Sequence, residues 1–187
     1  MKVEMNKDIK LSEHLASPSE AALSNLSELN CLRLSPHFTL GELCKTSYYT
    51  TDSNIPSHVA IENLKRICEG WLEDLRYSYN KLYGDRRKGD EENAEIPIII
   101  NSGFRSEEVN RKCGGAKESN HLTGCAVDIH CYGPEQMIRM ARILLDIADG
   151  TKRDFDELIQ EKRGTTYWVH FAVRPKDNRR KILFDCK

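Results

Sequence analysis

No stretch of this sequence stays apolar long enough to cross a bilayer. The longest such run is of the kind Ile96-Pro97-Ile98-Ile99-Ile100, stopped by Asn101, against the ~20 residues a membrane helix needs. An apolar core is also missing behind Met1-Lys2-Val3-Glu4-Met5-Asn6-Lys7-Asp8, so no secretory signal is expected and a cytoplasmic location is. Neither sign of charge is in excess: 28 basic against 29 acidic residues leave a net charge of −1. Nucleic-acid partners and membrane surfaces, which need a clear basic surplus, are therefore not expected. The seven cysteines are odd in number and scattered, which points to reduced thiols rather than a disulfide framework. Internal repeats and low-complexity tracts are absent too. What is present is ordinary for a globular domain, with 39% hydrophobic and 30% charged residues in 187. A chain of that size buries roughly two-thirds of its unfolded surface and folds without disulfides.

Residues 1–35, rich in Ser, Glu and Asn, read as an N-terminal extension, flexible or with a short helix carrying Leu23, Leu26 and Leu29. From residue 36 to 187 a single domain is expected. Thr39 caps a short helix with Glu42 three residues on. Between Ser57 and Tyr83 a stripe of Ile61, Leu64, Ile67, Cys68, Trp71, Leu75, Tyr79 and Leu82 predicts a long helix lying on a core. The charged segment from Gly84 to Glu95 reads as a solvated loop. Ile98–Ile100, Ala126–His130, Phe155–Gln160, Tyr167–Val173 and Lys181–Phe184 read as strands, and Glu107–Lys112 and Glu135–Ile147 as helices. Helices gather early and strands late, which favours an α+β fold with a small antiparallel sheet.

Three stretches concentrate chemistry: Ser102-Gly103-Phe104-Arg105-Ser106, the run from Gly114 to Ile129, and Tyr167-Trp168-Val169-His170-Phe171. His121 and Asp128 are seven residues apart, with Gly124 supplying a turn between them. Asp128 lies in an otherwise apolar strand, where a lone carboxylate is costly unless paired or bound to a cation. His170 lies between Val169 and Phe171 in a second apolar strand. Two imidazoles, one carboxylate and an open position describe a three-ligand catalytic zinc site. The same residues, taken alone, equally fit a salt-bridged aspartate and hydrogen-bonded core histidines. No cysteine, histidine and acid set supports a thiol nucleophile, and Cys125 and Cys131 read as small buried residues. His130 is a packing residue or a group behind the site; His14, His37 and His58 are incidental.

The run S-x-H-x-x-G-x-A-x-D-I, preceded by S-G-F-R-S and followed by W-V-H, resembles the zinc D-alanyl-D-alanine carboxypeptidase and murein endopeptidase family, whose fold is that of the hedgehog signalling domain. The similarity runs from about Pro36 to Phe184 and is closest to the short bacterial and prophage members. It implies Zn2+ held by His121, Asp128 and His170. It implies that Arg105 lines the cleft and holds a substrate carboxylate or a developing oxyanion. Ser119 matches the motif's serine and either shapes the substrate site or is a plain turn residue. Many members carry an acid three residues before the last ligand; here that position is Tyr167. The shorter members imply instead an upstream general base, best matched by Glu161, with Glu157 and Asp156 as fallbacks. The expected activity is hydrolysis of peptidoglycan stem peptides, as a carboxypeptidase or an endolysin-like endopeptidase, by a monomer released to the cell wall through lysis. The alternative is a zinc-binding module of the same fold that binds without cleaving, or a phage structural part.

Overall fold

Ser57 begins the longest helical stretch by accepting a hydrogen bond from the Ala60 backbone N–H at 3.3 Å. The chain then runs without a break through α2 (His58–Ile67), a π-helical turn (Cys68–Leu72) and α3 (Glu73–Tyr83). The computed structural model describes residues 31–51, 53–84 and 95–186. The extension helix expected near Leu23–Leu29 and most of the loop expected over 84–95 lie outside them. Of the expected stripe, Ile61, Leu64, Ile67, Cys68, Trp71, Leu75 and Tyr79 are buried, but Leu82 is 62% exposed. Leu82 lies in the last turn of α3, next to its end at Tyr83. The π turn inserts one residue between α2 and α3, and Leu72 within it is buried beside Trp71. The Gly70 carbonyl in that turn accepts from the Arg153 guanidinium, which also lies over the Trp71 ring at 5.1 Å.

Thr39 caps α1 (Leu40–Leu43) as its sequence predicts, and Ser106 caps α4 (Glu107–Lys112). Packing reaches back past Pro36: Leu34 is in the core, and the Ser35 hydroxyl donates to Glu73 at 2.6 Å. A five-stranded sheet follows, formed by β1 (Ile100–Ser102), β2 (Ala126–Cys131), β3 (Glu157–Arg163), β4 (Thr166–Ala172) and β5 (Lys181–Cys186), with α5 (Pro134–Thr151) between β2 and β3. The strand order is β1-β2-β4-β3-β5. The class is α+β, with one departure from the antiparallel expectation: β5 pairs parallel to β3. β4 ends beside the start of β3, where Ala172 is opposite Glu157. The chain needs only to pass the beginning of β3 before Lys181 pairs with Glu157 and runs in the same direction.

Alternation along the strands separates two faces. Val127, Ile129, Cys131, Leu158, Val169 and Phe171 pack into one core with the helices, with Trp71 against Phe171 at 4.9 Å. Asp128, His170, Glu157, Glu161 and Trp168 take the positions between them, and so share the opposite face. The helical layer fixes the sheet from behind and leaves the chemistry-bearing face uncovered by helices α2, α3 and α5.

Candidate metal centre

His121 is carried by a short 3-10 turn (Asn120–Thr123) that is braced at both ends. Ser119 caps it by accepting from the His121 N–H at 3.3 Å. Gly124 closes it at φ +68°, and a Cβ there would sit 2.3 Å from the Ala60 carbonyl oxygen. The turn thus lies flush against α2, where Asn63 Nδ2 also donates to the Thr123 carbonyl at 2.8 Å. His121 is buried, and its Nδ1 lies 2.5 Å from the Gly103 carbonyl. A carbonyl only accepts, so Nδ1 carries the proton and Nε2 presents a lone pair.

Asp128 is a cross-strand neighbour of both Ser102 in β1 and His170 in β4. His121 Nε2 is 3.2 Å from Asp128 Oδ1 and 3.2 Å from His170 Nδ1, and His170 Nδ1 is 2.9 Å from Asp128 Oδ1. Burial alone would push the Asp128 carboxyl up, but the facing imidazoles outweigh it and hold it well below its ordinary value. Burial pushes His121 down toward its neutral form, against the pull of Asp128. Burial acts the same way on His170, yet Asp128 and Glu157 outweigh it and raise that ring to about 9. Two imidazole nitrogens and one carboxylate oxygen at these separations fit a divalent cation with nitrogen and oxygen preferences, zinc above all. His121, Asp128 and His170 are the group among the described residues able to hold a metal ion.

Arg105 braces this cluster. Its Nη2 donates to Asp128 Oδ2, its Nε donates to Ser102 Oγ at 2.8 Å, and its backbone N–H donates to the His121 carbonyl at 3.1 Å. Ser119 serves as the cap of the turn that carries His121. Tyr167, at the position of the missing acid, pairs with Cys131 and so turns to the helix-packed face, away from His170. Among the three candidate bases, Asp156 is fully buried and gripped by Arg179, whose Nε and Nη2 donate to it at 2.8 and 2.6 Å. Glu157 faces His170 Nε2 at 3.6 Å. Glu161 stands two alternations further along β3, past Ile159, on the face of Asp128 and His170. Burial first, and the Asp128 charge second, raise its carboxyl above the ordinary value.

His130 sits on the same face but contacts Asn101 and Tyr132. His37 pairs with Glu73 at 2.7 Å, remote in the fold. Cys125 and Cys131 are buried, and burial pushes the Cys131 thiol up to about 12. Sequence reasoning did not single out Gly103, Ser102 or Asn120 for the roles they take here. Gly103 acts through its carbonyl and Asn120 through the neighbour of a ligand, so neither leaves a side-chain pattern to read.

No curated protein matches the chain. Residues 88–157 match the family model described as Peptidase M15. That segment holds His121, Asp128 and Arg105 and ends before Glu161 and His170, which the hairpin of β3 and β4 brings to the same place. With its motifs folded into a metal-competent His-Asp-His cluster, the segment 88–157 is similar to the Peptidase M15 family, and His170 joins the cluster from outside the matched residues.

Proposed function

We propose that this protein is a zinc-dependent peptidase that hydrolyses peptidoglycan stem peptides. The observation that carries the reading is the convergence of His121 Nε2, Asp128 Oδ1 and His170 Nδ1 on the sheet face that also bears Glu161. The substrate class rests on the resemblance of the motifs, since a fold hosts many substrates.

Bound at these three residues, zinc would acidify a water and polarise a peptide carbonyl. Glu161 is the general base: it takes a proton from the attacking water and returns it to the leaving amine. Its raised carboxyl suits a group that must both accept and release that proton. Arg105 keeps the second oxygen of Asp128 engaged and adds a guanidinium beside the cluster, where negative charge on the carbonyl oxygen would develop. Asp156 and Glu157 are held by other partners and are not assigned this role.

Digestion of purified peptidoglycan by zinc-loaded protein, read by mass spectrometry, tests the proposal. New peptide fragments are expected, and their masses distinguish loss of a terminal D-Ala from an internal cut. Glu161→Ala should keep its zinc while its rate falls roughly 10²- to 10⁴-fold. Equal fragments from both proteins would discard Glu161 as the base. Zinc bound without any fragments would favour a binding module.

A further inference from the structure

Glu157 is surrounded by more partners than a strand carboxylate needs. Its Oε2 faces His170 Nε2 at 3.6 Å and accepts from Asn120 Nδ2 at 3.2 Å. Its Oε1 lies 3.2 Å from Lys181 Nζ and 3.1 Å from Arg179 Nη2. Asn120 is the first residue of the turn that carries His121, and its amide also donates to Asp156 Oδ2 at 2.8 Å. Lys181 opens β5, and Arg179 precedes it in the crossover. One carboxylate therefore touches the element of one candidate ligand and the ring of another. Its remaining oxygen is occupied by two cations from the sheet edge.

We propose that Glu157 is the positioning residue of His170, and that Asn120 is the strut that ties Glu157 to the turn carrying His121. An imidazole that ligates through Nδ1 keeps its proton on Nε2, and the group facing that N–H fixes the ring's rotation. Here the group is Glu157. Lys181 and Arg179 hold its other oxygen, so the carboxylate cannot turn away to solvent without breaking two ion pairs. Asn120 then makes the spacing between His121 and His170 a property of side chains rather than of the sheet alone. The β3–β5 pairing gains a purpose by the same route, because it delivers Lys181 beside Glu157.

The inference rests on the metal-site part of the proposed function and not on hydrolysis. Zinc affinity, measured by competition with a chromogenic chelator, therefore tests it directly. Glu157→Ala is expected to weaken zinc binding roughly 10- to 100-fold, while Glu157→Gln, which keeps an oxygen for the Nε2–H, stays within about threefold of the parent. If Glu157→Ala loses its cooperative melting transition, Asn120→Ala takes its place. That variant leaves Glu157 held by Lys181 and Arg179 but cuts its tie to the turn carrying His121, and a several-fold loss of affinity is expected. Parent-like affinity in the folded variant overturns the positioning role and leaves the metal site standing. A parent that binds no zinc overturns both. Should the parent hydrolyse muropeptides, excess zinc is expected to restore the rate of Glu157→Ala. A rate still lost at saturating zinc would place Glu157 in the chemistry and overturn the assignment.

Discussion

Asp156 has no exposed surface, yet its carboxyl is held down to about 2. Burial works against that, but two bonds from the Arg179 side chain, one from Asn120 and one from the Arg179 backbone N–H more than compensate. A folded value below the ordinary 3.8 means stabilisation that is complete above 3.8 and lost as pH falls from there toward 2. Asp156→Asn is therefore expected to be less stable than the parent at neutral pH by about 2 kcal/mol. Urea unfolding of both metal-free proteins at several pH values should show the gap closing between pH 4 and pH 2. A gap independent of pH would mean that shape, not charge, holds the crossover before β5. At the same scale, three neighbouring carboxylates divide by partner: Asp156 binds the crossover, Glu157 braces an imidazole, and Glu161 is left with a raised carboxyl on the site face.

Among the elements, the four-residue turn Asn120–Thr123 does more to place the site than any long helix. Its register depends on Gly124, whose left-handed backbone and missing Cβ let the chain turn against the Ala60 carbonyl. Gly124→Ala adds both backbone strain and a backbone clash, at an expected cost of roughly 1–3 kcal/mol by chemical denaturation. The same variant should bind zinc more weakly, because His121 and Asp128 flank the turn. Undiminished affinity would show that the turn relaxes without moving His121. Gly103 works in a related way: a Cβ there would lie 2.4 Å from the Leu43 carbonyl oxygen, and the close approach sets the carbonyl that meets His121 Nδ1. The π turn of the long helix belongs to this scale as well. The stripe from Ile61 to Tyr79 is legible by periodicity, but the residue inserted in the turn Cys68–Leu72 is not, since a widened turn leaves no compositional mark.

At the scale of the whole molecule, the three ligand-competent residues come from a turn, a central strand and its neighbour in the sheet. A cation bound there joins the layer of α2, on which the turn rests, to the middle of the sheet. Free zinc at 100 times its dissociation constant should stabilise the fold by roughly 2.7 kcal/mol, and so raise Tm by about 5–10 °C for a chain of this size. Thermal melts with zinc and with a chelator check this, and His170→Ala should abolish the shift. An equal shift in that variant would locate the stabilising ion elsewhere. The described helices include none long and apolar enough to cross a membrane, in keeping with the short apolar runs of the sequence.

The sequence by itself determined the periodic and the local. Alternating and three-four spaced apolar residues announce the α+β elements, because burial of one face is written into each segment. The cap at Thr39, and the run from Ser119 to Asp128, are short-range features of the same kind. Only the tertiary structure decided what depends on residues far apart. The parallel β5, the bonds of Glu157 to Asn120 and Lys181, and the grip of Arg105 on Asp128 join positions 23 or more residues distant, and the approach of Glu157 to His170 rests on the β3–β4 pairing. Glu157 and Glu161 have the same side chain, four residues apart on one strand. Their surroundings differ through the neighbours that β4, β5 and the His121 turn bring to each: Glu157 meets His170, Asn120, Arg179 and Lys181, while Glu161 lies beside Trp168.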